Sequence, residues 1–206
     1  MDSTLKEITD LYTSNLAKYG GESRAVGWNT PECQELRFEK LTSVNDGRNN
    51  SITVNDYGCG YGAHLDYLLA QGHQVSAYHG YDLSNEMLAN ARKRHANFTG
   101  VLDLHRSSII ATLADYTFVS GTFNVCFEAT GEEWSYYILQ KLKEIDHHSK
   151  RGFSFNMLST YVDWKQPNLF YGDPLYWFDQ CKKNFSRNVS LLHDYHLYEW
   201  TIVVKK

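Results

Sequence analysis

The sequence predicts an α/β fold: a mostly parallel, doubly wound sheet of seven strands, preceded by a helical N-terminal lid. Short apolar runs alternate with helical patterns from residue 52 onward, which is the order that produces a parallel sheet covered on both faces. Residues 1–45 carry only helical patterns. The last two predicted strands are close enough in sequence to pair as a hairpin, so we expect the final strand to run antiparallel to its neighbours.

The N-terminal segment predicts two helices. The first begins at a capping-box pair, Thr4 and Glu7, and carries apolar side chains at helical spacing as far as Tyr19. Two glycines then end it. The second helix begins after Thr30, with Pro31 at its first position. These two helices are too short to form a separate domain, and we interpret them as a lid.

The remainder of the chain predicts alternating strands and helices. A serine cap at Ser84 begins the helix after the second strand. A long amphipathic helix surrounds Trp134, and the last helix begins near Pro174. The seven predicted strands cover residues 52–57, 75–81, 101–105, 116–120, 153–158, 189–193 and 198–204.

Length, charge and cysteine content exclude several classes of protein. A chain of 206 residues suits one domain, with the lid over 1–45 and the core over 50–206. A net charge of −4 offers no broad attraction for nucleic acid or an anionic membrane. The sequence shows neither a signal-peptide pattern nor an apolar run near the ~18 residues of a membrane span, and its four cysteines are scattered. We expect a cytoplasmic protein without nucleic-acid or membrane partners.

A glycine-rich turn follows the first predicted strand. Residues 56–62 read DYGCGYG, and the second strand ends at Asp82, roughly 20 residues beyond the glycines. Glycines there let a ligand approach the backbone closely, in front of a helix N-terminus. An acidic residue at the end of the next strand suits a ribose diol. The pattern therefore predicts an adenosine-binding site at the carboxyl edge of the sheet.

The kind of adenosine ligand is a separate question. Gly58, Gly60 and Ala63 also fit the dinucleotide fingerprint G-x-G-x-x-A. Asp56, two positions before the first glycine, favours another ligand, because a carboxylate there would repel a pyrophosphate and attract an ammonium group. Gly62 extends the pattern to G-x-G-x-G. The helices before the first strand and the closing hairpin also depart from a dinucleotide-binding domain.

These residues resemble a known family. Residues 56–62, followed by YDLSNEML at 81–88, are similar to the [DE]-x-G-x-G-x-G motif and strand-end acid of the class I, Rossmann-like S-adenosylmethionine-dependent methyltransferases. The resemblance implies S-adenosyl-L-methionine as cofactor and S-adenosylhomocysteine as product. It implies that Asp56 holds the methionine moiety, that Asp82 binds the ribose hydroxyls and that Leu83 packs on adenine.

One position departs from the family pattern. Many members have an acid after the third strand that pairs with the adenine amino group, whereas this chain has Ser107 and Ser108 there. A serine hydroxyl or a backbone group must then make the adenine contact. With this substitution, the implied cofactor-binding residues are Asp56, Gly58, Cys59, Gly60, Asp82, Leu83, Met87, Ser108, Ser120 and Trp28.

Three further residues are catalytic candidates, each with a structural alternative. Asn124 follows the fourth strand, where the related fold faces the reacting methyl group, but asparagine is also a turn residue. Asn156 is an amide in a predicted buried strand and needs a partner, from substrate or from protein. Tyr195 either lines a pocket or packs in the core. Trp28, between the N-terminal helices, either closes over the cofactor or is permanently packed.

No metal site is predicted. His193, Asp194 and His196 are close in sequence, but strand alternation places the two histidines on opposite faces. One of them near the strand end remains a possible proton acceptor.

The sequence thus indicates methyl transfer to a small-molecule acceptor. The lid and the segment 161–171 are short enough to enclose a metabolite, and they offer little surface for RNA or protein. An NAD(P)-binding oxidoreductase is one alternative, opposed by Asp56. A catalytically silent subunit that binds an adenosine cofactor is another, and no sequence feature opposes it.

Overall fold

The computed structural model describes residues 2–27, 30–45, 47 and 50–206, and these residues form the predicted α/β fold. The helices are α1 Asp2–Tyr19, α2 Pro31–Thr42, α3 Ala63–Ala70, α4 Asn85–Arg94, α5 Gly131–His147 and α6 Pro174–Asn184, with a short 3-10 helix at Ser23–Val26. The strands are β1 Ile52–Tyr57, β2 Val75–Asp82, β3 Val101–Arg106, β4 Ala114–Val119, β5 Ser149–Ser159, β6 Tyr171–Gly172, β7 Asn188–Leu192 and β8 Glu199–Lys205.

The sheet has the order β3-β2-β1-β4-β5-β8-β7, and its first five strands in this order are parallel. Strand β8 runs antiparallel between β5 and β7, as the predicted hairpin requires. Strands β2 and β3 lie on one side of β1, whereas β4 and the later strands of this order lie on its other side. A crevice therefore opens at the carboxyl ends of β1 and β4, where ligands bind in open α/β sheets.

Besides shifted strand bounds, the largest at β5, which begins at Ser149 and not at residue 153, the structure differs from the sequence predictions in two features. An eighth strand, β6, pairs with residues 158–159 of β5. With only two residues it carries no periodic pattern that could be recognised in the sequence. The predicted capping box of Thr4 and Glu7 is wrong, because α1 already begins at Asp2. Thr4 therefore lies within the helix and lacks the extended backbone of a capping residue.

Two apolar clusters cover the two faces of the sheet. One packs Ile138 of α5 and Trp177 of α6 against Phe155. The other packs Leu65 of α3 and further residues of α2 and α4 against Tyr78. Helix α1 packs mainly on the 3-10 helix and α4, and its Leu5 and Ile8 also pack against the first cluster. Among the described residues, no helix is both long enough and apolar enough to cross a membrane.

Candidate active site

The turn after β1 requires glycine at residue 58. Gly58 has a φ of +78°, and a Cβ placed there would lie 2.2 Å from Oγ1 of Thr122. The backbone N–H groups of Gly58 and Cys59 donate to the carbonyl oxygen of Tyr81, at 2.8 and 3.0 Å. These bonds fold the turn over the end of β2. Residues with a side chain rarely adopt this positive φ. Glycine at this position therefore keeps the floor of the crevice free of a side chain.

Asp82 joins the glycine turn to the start of α4. Its Oδ2 accepts a hydrogen bond from the N–H of Gly60 at 2.9 Å, and its Oδ1 accepts one from the N–H of Ser84 at 2.8 Å. Burial raises the pKa of Asp82, although these backbone donors favour its charged form. Each carboxylate oxygen keeps acceptor capacity, so Asp82 can also receive hydroxyl donors from a ligand.

Asp56 lies beneath the glycine turn and is only 2% exposed. Its Oδ2 accepts a hydrogen bond of 2.5 Å from the hydroxyl of Tyr78. Burial raises the pKa of Asp56 to about 7; the negative charge of Asp82 adds to this shift and the Tyr78 hydrogen bond opposes it. A cationic group near this carboxyl would reverse the shift and favour the charged form.

Asp56 and Ser120 border a small recess that adjoins a larger cavity. Gly58, Val26 and Ser120 line both spaces, so the recess lies against the cavity wall. The Ser120 hydroxyl is buried, and among the described residues it has no hydrogen-bond partner. A buried carboxyl and an unpartnered hydroxyl therefore lie at one end of the site, a pairing that suits an ammonium or other polar ligand group.

The larger cavity lies between the sheet edge and α1. Helix α1 contributes Leu5, Ile8, Thr9 and Tyr12 to the cavity wall, so it forms a roof. Burial, together with the charge of Asp82, raises the pKa of Tyr12 to about 12. The other lining residues are Val26, Tyr57, Gly58, Gly60, Tyr81, Asp82, Leu83, Ser84, Met87, Ser107, Ser108, Ser120, Gly121, Thr122, Phe123, Trp134 and Tyr137.

The two serines after β3 lie in the cavity wall. Ser107 donates its N–H to the carbonyl of Asp82 at 3.1 Å, and its hydroxyl is hydrogen-bonded to the backbone of Ile109. The carbonyl of Ser108 accepts hydrogen bonds from Lys141 at 2.5 Å and from the Tyr57 hydroxyl at 3.3 Å. The loop is therefore held in place beside Asp82.

The cavity collects most of the residues that the resemblance implied. Asp82, Leu83, Met87, Ser108 and the two glycines line it, and Ser120 lines both spaces. Cys59 and Asp56 border only the recess. Trp28 lies outside the described residues.

The structure does not bring the three catalytic candidates to the cavity wall. Asn124 accepts a hydrogen bond from the N–H of Leu158 at 3.0 Å. Asn156 is fully buried and bonds to protein groups on both sides. The Tyr195 hydroxyl lies 2.8 Å from Oγ1 of Thr201. Each of these side chains has a structural partner in the described chain.

Sequence reasoning did not assign the roof residues of α1 or the aromatic wall to the site. The helical spacing of Leu5, Ile8 and Tyr12 marked an apolar stripe, but it did not indicate which surface the stripe covers. Phe123, Trp134 and Tyr137 carried no motif. They meet the cavity only because α5 packs beside the loop after β4.

The arrangement fits an adenosine ligand with a charged amino-acid end. Asp82 could accept hydrogen bonds from a diol, Leu83 and Met87 offer apolar surface, and the Asp56–Ser120 recess could offer a carboxyl to a cationic group. The open backbone at Gly58 joins these regions.

Comparisons with known proteins agree on one chemistry. The family model of a methyltransferase domain matches residues 54–152. The Mycobacterium tuberculosis protein "Putative methyltransferase Rv1506c" is 44% identical over 157 residues, which cover 75% of this chain and 93% of that protein.

Solved structures agree on the fold. Magnesium protoporphyrin IX methyltransferase from Synechocystis, with bound S-adenosylmethionine, has a TM-score of 0.63 at 13% identity and covers 98% of this chain and 97% of its own. The N-methyltransferase NodS from Bradyrhizobium japonicum, in complex with S-adenosylhomocysteine, has a TM-score of 0.66 at 11% identity and covers 95% of this chain and 98% of its own.

Proposed function

Because this chain belongs to the S-adenosylmethionine-dependent methyltransferases, we propose that its methyl acceptor is a small molecule. One observation carries this proposal: helix α1 roofs the cavity with Leu5, Ile8 and Tyr12. An acceptor must reach the methyl group beneath this roof. A metabolite can be enclosed there, whereas a folded protein or an RNA would require the roof to be displaced.

We assign the cofactor contacts as part of the same proposal. Asp82 would accept hydrogen bonds from the ribose hydroxyls, and the Asp56–Ser120 recess would receive the amino-acid end. Gly58 and Gly60, with the backbone of Cys59, would form the floor. Leu83 and Met87 would hold adenine, whose amino group would meet the loop at Ser108. Trp28 would contact the cofactor from the segment that follows the 3-10 helix.

Methyl transfer from a sulfonium requires little acid–base catalysis from the protein. S-adenosylmethionine supplies a methyl group that its sulfonium already activates. Among the described residues of the cavity wall, the ionisable side chains are Asp82 and four tyrosines. Burial raises the pKa of Tyr12 and Tyr57, so both keep their protons at neutral pH. The site would then act by aligning the acceptor with the methyl group and excluding water.

Asn124, Asn156 and Tyr195 enter this proposal as supporting residues. Asn124 joins the loop after β4 to the end of β5, and Asn156 holds the backbone of Gly121. We propose that both keep the wall around Ser120 in position. Tyr195, whose hydroxyl lies 2.8 Å from Oγ1 of Thr201, would likewise hold β8 in position. The chain would act as a single domain over 1–206, with α1 and α2 as its N-terminal part.

The first experiment tests cofactor choice by thermal unfolding. A ligand that binds only the folded protein stabilises it by about 2.7 kcal/mol at a hundredfold excess over its Kd. For a chain of this size that corresponds to a rise in Tm of several degrees. We expect S-adenosylhomocysteine to produce this rise and NAD to produce none. The opposite result would favour the dinucleotide alternative.

The second experiment tests the acceptor class. Cell extract is incubated with the enzyme and with S-adenosylmethionine carrying a labelled methyl group, and is then separated into metabolite, RNA and protein fractions. The Asp82→Ala variant serves as the control for label that does not depend on the site. We expect enzyme-dependent label in the metabolite fraction. Label confined to RNA or protein would overturn the small-molecule proposal while leaving the methyltransferase assignment intact.

A further inference from the structure

Three metal-ligating side chains meet at the edge of the sheet. His79 lies in β2, and Asp103 and His105 lie in the edge strand β3. One possible ligand atom from each residue lies within 4.8 Å of the other two. None of the three side chains lines the cavity described above. They therefore form a cluster separate from the methyl-transfer site.

Regular strand geometry brings this cluster together. Residues 103 and 105 alternate onto the same face of β3. The register pairs His79 with Asp103 and Tyr81 with His105, so the side chain of His79 shares that face and lies beside both. No loop is needed to gather the three groups, and the position of each follows from the backbone of two paired strands.

The imidazole groups have nitrogen atoms left without partners. Nδ1 of His79 and Nε2 of His105 are buried and make no aligned hydrogen bond within the described residues. Nδ1 of His79 does lie 3.2 Å from Oδ2 of Asp103. A buried polar atom without a partner is costly and therefore calls for an explanation. Nε2 of His105 is such an atom, and its position beside the His79–Asp103 pair indicates a ligand shared by all three residues.

The surroundings of the cluster restrict one of its side chains and leave another accessible to solvent. The ring of His105 stacks on that of Tyr81, with centroids 5.0 Å apart, which restricts its orientation. Asp103 is exposed, so an ion can enter from solvent.

We propose that His79, Asp103 and His105 bind a divalent transition-metal ion of the Zn²⁺ class through two imidazole nitrogens and one carboxylate oxygen. Zinc prefers four-coordinate tetrahedral geometry and readily takes nitrogen and oxygen ligands. Ligand atoms on a tetrahedral zinc lie roughly 3.3 Å apart, given bond lengths of about 2.0–2.1 Å. His79 and Asp103 already have this separation. The distances to His105, at most 4.8 Å, would close by small side-chain adjustments when the ion binds, and water would occupy the fourth position.

A bound ion would join β2 to β3 beside the cofactor cavity. Tyr81, on which His105 stacks, lines the cavity, and so do the two serines that follow β3. The ion would thus brace one wall of the site without contacting the cofactor. Its role would be structural, and metal binding can be tested without any measurement of methyl transfer.

The test uses the full chain without an affinity tag, freed of metal by a chelator. Zn²⁺ is titrated by calorimetry, and Co²⁺ is added in parallel to record the visible absorption of a tetrahedral site. We expect one equivalent to bind. His105→Ala and Asp103→Asn should each weaken binding roughly 100-fold, since even the loss of an outer partner of a metal ligand costs about 10–100-fold. His193→Ala, which removes an exposed histidine elsewhere, is the matched control and should bind normally.

Three results would overturn the proposal. They are the absence of stoichiometric uptake, equal uptake by wild type and both cluster variants, and loss of uptake in His193→Ala. Circular dichroism checks that each variant is folded. If His105→Ala fails to fold, Asp103→Asn decides, because its side chain is exposed and changes only from carboxylate to amide.

Discussion

Oδ1 of Asn156 accepts a hydrogen bond of 2.7 Å from the backbone N–H of Gly121, which lies in the cavity wall. On its other side, the amide of Asn156 donates to Glu199 at 2.6 Å, and Glu199 receives two hydrogen bonds from Arg37. A carboxylate only accepts hydrogen bonds, so Glu199 determines which way the Asn156 amide faces. A buried charge pair between α2 and β8 thus orients the side chain that holds the loop after β4.

Glu199→Gln should destabilise the fold strongly. Arg37 and Glu199 are both buried, and removal of the Glu199 charge takes away the carboxylate that compensates the buried Arg37 charge, at a cost of about 3–5 kcal/mol. Chemical denaturation measures this loss. Glu39→Gln, which removes an exposed partner of Lys40, is the control and should cost less than about 1 kcal/mol. Recovery of stability in Arg37→Met/Glu199→Gln would support the unpaired charge as the cause. A Glu199→Gln variant as stable as the control would contradict it.

Asp82→Ala should weaken the binding of S-adenosylhomocysteine at least tenfold. Charge-assisted hydrogen bonds are worth roughly 1.5–3 kcal/mol each, and the proposed ribose contact has two. Titration calorimetry measures the affinity. Asp179→Ala, which removes a carboxylate paired with Lys183 on the exposed face of α6, is the matched control. Wild-type affinity in Asp82→Ala would remove this residue from the proposed site.

The stability of the cofactor-free protein should receive a decreasing contribution from Asp56 as pH rises from about 4 to about 7. Its pKa is raised from 3.8 to about 7 in the folded protein. The folded state therefore holds this proton more tightly than the unfolded state, and that stabilisation is lost as the carboxyl ionises. Asp56→Asn removes the titration. The difference in unfolding free energy between wild type and variant, measured near pH 4 and again above pH 7, should change by a few kcal/mol in favour of the variant, with most of the change between those two pKa values.

The same carboxyl should make cofactor affinity depend on pH in the opposite sense. An ionised Asp56 attracts the ammonium group of S-adenosylhomocysteine, so wild-type affinity should increase as pH rises through about 7. In Asp56→Asn the affinity should be lower and this dependence absent. Calorimetric titrations over that range provide the measurement. Parallel pH profiles for the two proteins would exclude Asp56 from ammonium binding.

Gly58→Ala should be far more damaging than Gly72→Ala. The two glycines have nearly the same φ, +78° and +80°, so both substitutions incur similar backbone strain. Only at Gly58 does the new Cβ meet another group, Thr122, whereas nothing lies within 4 Å at Gly72. Gly72→Ala should lose about 1 kcal/mol of stability and keep its affinity for S-adenosylhomocysteine. Gly58→Ala should lose that affinity. Equal behaviour of the two variants would show that strain alone matters.

Helix α1 should become more protected when the cofactor analogue binds. It packs mainly on the 3-10 helix and α4, and its inner face borders the cavity. Hydrogen exchange of residues 2–19 with and without S-adenosylhomocysteine measures this change. The buried helix α5 serves as an internal reference that should change little. Strong and equal protection of α1 in both states would indicate a fixed roof, with no closing motion.

Much of the fold and the cofactor end of the site could be predicted from the sequence because their signals are local. The periodicity of strands and helices depends on residues that are near one another in the sequence. The predicted bounds of β1, 52–57, agree with the structure. The glycine turn and Asp82 could be predicted because both belong to one motif that spans about 25 residues. The Pro31 start of α2 and the Ser84 cap are equally local. The Thr4 capping box was a wrong prediction because a helix end depends on weak terminal interactions.

By itself, the sequence determined the order of the elements, the glycine turn and the two carboxyl groups, since each depends on residues adjacent along the chain. Only the tertiary structure decided which surfaces meet. It decided which face of α1 lines the cavity, paired Asn156 with Gly121 and brought His79 beside Asp103 and His105. Each of these contacts joins residues at least 24 positions apart or on different elements. Their partners are selected by packing and strand register, and no short stretch of sequence encodes that choice.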